Sequence, residues 1–469
     1  MGEIIRSYIF PHPPLIIPEV GRGEEKGAAD TINAVKKAAE DIKIDAPSTI
    51  VVTTPHGPVF QDYIHISMQE RLTGDMSRFG ANDVRFEFEN NLLLAKAISS
   101  NAEAIHIPAG GLSEEISARY KISKSLDHGA LVPLYFIKNI YDSFKLVHIS
   151  ISGLSFEDQY RFGKCIAKAV AQSDERVVFL ASGDLSHRLT NEGPYGYSEY
   201  GKLFDDMLIE SLRNLDVERL ITTDESFCEN AGECGLRSFI MMFGALDGYD
   251  LEPEVYSYEG PFGVGYSVAR FSVGGKNPER HILDKLEFKN KLKMQGIREN
   301  EDPYVKLART TLETYIKEDR IIEIPKDIPE ELIKNSAGTF VSLKKSGQLR
   351  GCIGTIEPTK DNIAKEIMRN AISSATEDPR FDAVTEEKLD KLVYTVDVLM
   401  PAEDIKSMDE LDVVKYGVIV RLGRRTGLLL PNLDGVYTAE QQVSIALQKA
   451  GIKPNENYTM QRFEVIRHK

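Results

Sequence analysis

One unit appears three times before residue 190 and constrains the fold more than anything else in the chain. It is a strand-like run that stops at a polar turn carrying a histidine. Ile4 to Phe10 runs into "FPHPP" and His12. Thr49-Ile50-Val51-Val52-Thr53 runs into "TTPHGP" and His56, and Val177-Val178-Phe179-Leu180-Ala181 runs into "SGDLSHR" and His187. Short apolar runs bounded by turn residues suit strands buried on both faces. Leu131 to Phe136 and Leu146 to Ile151 read as two more strands. Glu24 to Lys43 reads as an amphipathic helix with Ala28, Ile32, Val35 and Ala39 on one face. Further helices are expected near Leu92 to Ser99, Phe156 to Gln172, Glu199 to Asn214 and Gly235 to Leu246. This alternation predicts an α/β N-terminal domain, its central sheet covered by helices on both faces.

At 469 residues the chain is too long for one ordinary domain. The alternation ends after "GYSVARFSV", where Gly274-Gly275-Lys276-Asn277-Pro278-Glu279-Arg280 is turn-rich and charged. The expected division is residues 1–275, a linker at 276–289, and a smaller domain at 290–469. In the latter a helix is expected at Asp302 to Lys317, with strands at Thr339 to Leu343, Leu392 to Leu399 and Val418 to Leu422. A helix at Glu440 to Ala450 and a strand near Arg462 to Ile466 close it, a mixture that reads as α+β.

Ligands of open α/β sheets bind outside the carboxyl ends of the strands. His12, His56 and His187 all fall there, and prolines 11, 13, 14, 55 and 58 stiffen two of the turns. A loop histidine bonded to the backbone is the plain reading of each one; three at equivalent strand ends point to a shared site. Two neutral imidazoles and one carboxylate form the facial triad of non-haem Fe(II), with positions left open for substrate and O2. "ENAGECGLRSF" offers Glu229 and Glu233, the latter at a helix start, where an acid can serve as a cap instead. Adjacent Cys234 is a softer donor that would favour Zn or Cu. His128, in "LDHGALVPLYF", precedes an expected strand and so starts at the opposite end of the sheet unless its loop folds back; His65 and His148 read as structural. "GPFGVGYS" precedes a strand instead of joining strand to helix, so it is not a nucleotide loop.

In the second domain "GQLRGCIGT" sets Cys352 two residues after Arg350. A neighbouring cation can activate a thiol. The last histidine, His468, lies too near the end of the sequence to suggest a Cys–His dyad, and a buried cysteine in a tight turn is the plain reading. "SATEDPRFDAV" adds Asp378, Arg380 and Asp382, a charged loop that could face Arg350.

The net charge of −15 argues against a general nucleic-acid or anionic-membrane binder. The first residues lack the features of a signal peptide, and no apolar run reaches the roughly 18 residues of a membrane helix. Four cysteines without a CxxC pair suit a reduced cytoplasm. Self-association is left open.

Together, "HPP", "TTPHGP", "LDHGALVPL", "SGDLSHRL" and "GPYGYSEYGKLFD" resemble the class III extradiol ring-cleavage dioxygenases over about the first 270 residues. The resemblance implies an Fe(II) held by His12, His56 and a glutamate, assigned to Glu233, and a catechol-like substrate cleaved with O2. It also implies His187 as acid/base residue and His128 as a contact to the metal's ligands or to the substrate. Such chemistry takes a phenolic proton and later returns one. A histidine does both near neutrality, and its loss typically costs about 10²–10⁴-fold in rate. The same segments resemble the Memo proteins, in which the Ser-Asp-Leu-x-His stretch and a cysteine before a glycine line the metal pocket. Gly183-Asp184-Leu185-Ser186-His187 and Cys234-Gly235 stand at those places here. "LRGCIG", "DPRF", "GLLLPNL" and "ALQKAGI" resemble the AMMECR1 domain. The fused pair is similar to the two-domain family of the AmmeMemoRadiSam system, which implies a radical-SAM partner.

Overall fold

Each of the three histidine-bearing turns ends a strand of one six-stranded sheet. In this computed structural model, which describes residues 1–469 apart from Pro194, Ser346 and Asp434, the strands are β1 (Glu3–Phe10), β2 (Thr49–Thr54), β3 (Lys145–Ser150), β4 (Arg176–Ser182), β5 (Tyr249–Glu259) and β6 (Tyr266–Lys276). Their order is β3-β2-β4-β1-β6-β5. β1 to β4 run parallel, whereas β6 pairs antiparallel with β1 and with β5. Because β4 lies between β1 and β2, the turns carrying His12, His56 and His187 leave three adjacent strands at the same end of the sheet.

The helices of this unit that cover the sheet are α1 (Ala29–Asp45), α2 (Leu92–Glu103), α3 (His128–Lys138), α4 (Phe156–Ala171), α5 (Glu199–Asn214) and α6 (Leu236–Ala245). Strand side chains alternate between faces. Ile9, Val51, Val147 and Phe179 pack in one cluster with residues of α2, α4, α5 and α6. Tyr8, Ile50, Val52, Val178 and Leu180 pack in another with residues of α1 and α3. Burying one such aliphatic or aromatic side chain is worth about 1.5–3 kcal/mol, so the doubly covered parallel strands form a rigid platform beneath the turns.

Two expected elements differ. Leu131 to Phe136, expected as a strand, lies inside helix α3. Asp127 caps that helix, its side chain accepting from the Ala130 N–H, and nearly the whole helix is buried. A run apolar on every side has no period with which to tell helix from strand. The expected single helix from Glu24 is a 3-10 segment, Glu24–Ala28, followed by α1. The stretch 276–289 holds a 3-10 turn, Pro278–Arg280, and the first residues of a helix, Ile282–Glu299.

The chain divides into two units, Met1–Glu287 and Phe288–Lys469. In the second, strands Gln348–Gly354, Thr339–Lys345, Leu392–Leu399 and Val465–His468 form one antiparallel sheet, packed on helices Pro303–Glu318 and Ile363–Thr376. Strands Glu403–Ile405, Thr459–Phe463, Gly417–Leu422 and Arg425–Leu429 form another, packed on helix Ala439–Ala450. The expected strand near Arg462 is split at Glu464 between the two sheets. No helix among the described residues is long and apolar enough to cross a membrane.

Candidate metal centre

His12 leaves β1 already anchored. Its backbone N–H donates to Asp184 Oδ1 at 2.8 Å, across the gap to the turn after β4. Its Nδ1 lies 2.9 Å from Ser182 Oγ, and that hydroxyl in turn donates to the carbonyl of Gly129 at 2.5 Å. The carbonyl is available because its intrahelical partner would be residue 133, and Pro133 has no N–H. With its one proton committed there, the Ser182 oxygen accepts from His12 Nδ1–H. This fixes the tautomer and leaves the Nε2 lone pair free.

That lone pair faces His56 Nε2 at 2.9 Å. Two nitrogens each about 2.1 Å from one cation and at a right angle to each other stand about 3.0 Å apart, so the pair has the spacing of adjacent ligands. Thr54, at the end of β2, sets the His56 turn. Its Oγ1 accepts the His56 N–H at 3.2 Å and donates to Asp127 Oδ1 at 2.6 Å. Asp127 also accepts from His148 Nε2 at 3.0 Å, and His148 Nδ1 meets Ser67 Oγ at 2.9 Å. His148, read from sequence as structural, thus braces the floor of the site.

His128 is the first residue of α3, so the strand-based placement at the far end of the sheet is corrected. The helix start brings it beside His56, the rings stacked with centroids 4.2 Å apart. The donor atoms of His12, His56 and His128 lie within 4.8 Å of one another, the one such group of three among the described residues. Burial lowers the pKa of His12 and His56 and takes His128 down to about 3, with the other imidazoles adding to the effect in His12 and His128. All three are neutral at pH 7, with lone pairs to offer.

Two further donors approach His12 Nε2, the Cys234 thiol at 3.6 Å and Asp184 Oδ2 at 3.7 Å. Burial raises Asp184 to about 6 and pushes the Cys234 thiol up. Neutral imidazoles, of which His12 is buried, His128 half-buried and His56 exposed, together with a buried carboxyl and a half-buried thiol suit a divalent cation, which would supply the missing charge and displace the protons. Glu233 stands beside Cys234, and burial raises its carboxyl to about 7. Its Oε2 accepts the Leu236 N–H at 2.7 Å, a contact at the start of α6. Asp184 was named in sequence only as part of the "SGDLSH" stretch; the acid one residue beyond the strand's glycine was the signal for it.

His187 stands on the third turn. Its ring lies against Tyr195 with centroids 5.1 Å apart, and its Nε2 is buried with no hydrogen-bond partner among the described residues. Burial lowers its pKa, opposed by the Asp184 charge. The turn is held by "GPFGVGYS", since Leu185 N–H donates to Gly265 O at 2.8 Å and Gly265 N–H to Ser186 O at 2.7 Å. Gly183 and Gly235 meet so closely that a Cβ on Gly183 would lie 2.1 Å from Gly235 Cα. This contact seats the turn on the start of α6.

In the second unit Cys352 is half-buried, with burial raising its thiol pKa and Ser342 Oγ at 3.2 Å. The loop carrying Asp378 faces Arg350 through Phe381 rather than through its charges. Asp378 pairs with Arg380 at 2.7 Å and accepts the Cys352 N–H at 2.9 Å, while Arg350 lies over the Phe381 ring.

An open α/β sheet with histidine donors grouped outside its carboxyl edge defines a protein built round a candidate metal centre. The chain belongs to the family of the catalytic LigB subunit of aromatic ring-opening dioxygenase, whose model matches residues 6–269, and residues 305–468 match the AMMECR1 family. A protein of Clostridium acetobutylicum is 46% identical over 463 residues, 98% of each chain. One from Thermotoga maritima is 50% identical over 171 residues, 36% of this chain and 98% of its own. Among solved structures, an uncharacterized protein of Pyrococcus horikoshii is 34% identical with a TM-score of 0.33, covering 35% of this chain and 88% of that one. An uncharacterized protein of Escherichia coli is 13% identical with a TM-score of 0.40, covering 57% and 99%.

Proposed function

We propose that the first unit is a non-haem Fe(II) oxidoreductase of the extradiol type, acting with O2 on a small catechol-like substrate. The observation that carries this reading is the His12–His56 pair, 2.9 Å apart at Nε2 with the His12 lone pair fixed by Ser182. His12 and His56 supply the two imidazoles of a facial triad, and Asp184 takes the carboxylate place first assigned to Glu233. A bound Fe(II) brings electron transfer between an aromatic diol and O2 within reach. His187, neutral at pH 7 and with a free Nε2, takes the phenolic proton and returns it. His128 stacks on the ring of His56 and holds its orientation.

A second reading has its own observation. Cys234 Sγ stands 3.6 Å from His12 Nε2, about the separation of a sulfur and a nitrogen on one tetrahedral cation. A thiolate there would favour Zn or Cu and a Memo-like binding or scaffold role without ring cleavage, working with a radical-SAM partner.

Anaerobic purification with metal analysis, then Fe(II) loading and O2 uptake against a catechol panel, tests both. Bound iron with no uptake from any catechol rejects the dioxygenase. Iron lost in Asp184→Asn but kept in Cys234→Ser and Glu233→Gln supports the triad; the reverse order between Asp184 and Cys234 supports the thiolate site.

A further inference from the structure

The second unit holds a cavity of about 1450 Å³, larger than the roughly 300–1,000 Å³ of an ordinary small-molecule site. Its charged lining is balanced, Glu331, Glu357 and Asp404 against Lys334, Lys406 and Arg421, and Arg421 is already paired with Glu357 at 2.7 Å. That balance favours neither an anion nor a cation. Apolar side chains line much of the space. Leu399, Ile419 and Phe463 are buried, whereas Met400 and Ile466 stand 43% and 49% exposed, apolar surface that an occupant would take out of water.

One titratable group of this lining has an open nitrogen. Strand Val465–His468 runs antiparallel to Leu392–Leu399 with His468 opposite Val396, and the His468 ring meets the start of helix Pro303–Glu318. There Asp302 divides its carboxylate between two tasks. Oδ1 caps the helix, accepting the Tyr304 and Val305 N–H groups at 2.9 and 3.0 Å, and Oδ2 meets His468 Nδ1 at 2.5 Å. A carboxylate only accepts, so the neutral imidazole carries its proton on Nδ1. The ring is also stacked on Tyr304, centroids 3.7 Å apart, and the Tyr304 hydroxyl donates to Glu331 at 2.8 Å. The ring is thus fixed at one edge and one face. Its Nε2 keeps a lone pair with no hydrogen-bond partner among the described residues. A lone pair in a lining of balanced charge calls for an uncharged donor.

We propose that this cavity binds a neutral alcohol with a long apolar body, the body covering Met400 and Ile466 and the hydroxyl donating to His468 Nε2. The site lies wholly within the second unit and does not depend on the reading of the first.

The test is calorimetric titration of the full chain with 1-octanol and with its methyl ether. The probes share their alkyl chain, and only the alcohol can donate. The ether has the larger apolar surface, so burial alone would favour it. The alcohol is expected to bind about fivefold more tightly, the net worth of one hydrogen bond. His468→Phe keeps a flat ring on Tyr304 and removes the lone pair, so the preference disappears. Asp302→Asn inverts the donor. The helix cap needs an oxygen, so the amide NH2 turns to His468 and donates to Nδ1, which moves the imidazole proton to Nε2. Nε2–H then donates to either probe, and the preference disappears while the ether binds more tightly than before. Ile466→Ser weakens both probes by roughly threefold or more. Circular dichroism and urea unfolding establish that each variant folds, and Asp302→Asn decides the matter if His468→Phe does not. Equal affinity for the two probes in the unaltered chain, or a preference that survives either substitution, overturns the hydrogen bond to His468. Failure of both probes to bind at millimolar concentration overturns the site.

Discussion

Ser182→Ala removes one oxygen on which two buried groups depend. Gly129 O loses the donor that stands in for the missing Pro133 N–H, and His12 Nδ1–H loses its acceptor at 2.9 Å. Ser182 itself is fully buried. An unsatisfied buried polar group costs about 1–3 kcal/mol, so the variant should lose roughly 2–4 kcal/mol of stability. The larger consequence is at the metal. Without the hydroxyl, nothing holds the His12 proton on Nδ1, and loss of such an orienting partner typically lowers metal affinity about 10–100-fold. Competition of the full chain against a chromogenic chelator measures the affinity, and urea unfolding measures the stability. Ser182→Thr keeps the hydroxyl and should recover most of the affinity. A folded Ser182→Ala variant with undiminished metal affinity would refute the claim that Ser182 sets the His12 tautomer.

Gly183→Ala drives a Cβ into Gly235 Cα and should cost about 3 kcal/mol or prevent folding, read by thermal unfolding. Glu233→Gln keeps an oxygen acceptor for the Leu236 N–H and should cost less than about 1 kcal/mol by urea unfolding while leaving bound metal unchanged by elemental analysis. Burial raises the Asp205 carboxyl to about 7, where it accepts the Ser186 N–H and the Tyr258 hydroxyl. The unfolded chain sheds this proton near pH 4 and the folded one near 7, so the native state binds more protons between those values and stability falls as pH rises through that window. The fall sums to roughly 2–4 kcal/mol, and urea midpoints of Asp205→Asn at pH 5 and 7.5 should lack it. His187→Ala should keep its metal and lose about 10²–10⁴-fold in turnover if the residue moves a proton; loss of metal instead would make it a ligand.

How much of the site was legible depended on the kind of signal each residue left. His12, His56 and His187 announced themselves through strand runs that stop at stiff turns, and all three leave adjacent parallel strands. His128 was misplaced because the buried run after it carries no period, so Asp127, acting as a cap, was the better guide to a helix. Glu233 and Cys234 are neighbours in sequence, yet one turns its side chain to the helix start and the other to His12. The charged loop after Thr376 does meet Arg350, through the Phe381 ring, while its Asp378 closes on Arg380, two residues away.

By itself the sequence determined the α/β and α+β classes of the two units, the strand-end turns, and the motifs that relate the chain to its two families. These are local patterns, written by hydrophobic period and turn chemistry. The tertiary structure decided which donors meet. His128 joined His12 and His56, Asp184 came to His12, and Pro133 set the His12 lone pair through Gly129 and Ser182. Such choices rest on where buried polar groups find their partners, and those partners lie up to 172 residues apart in the chain.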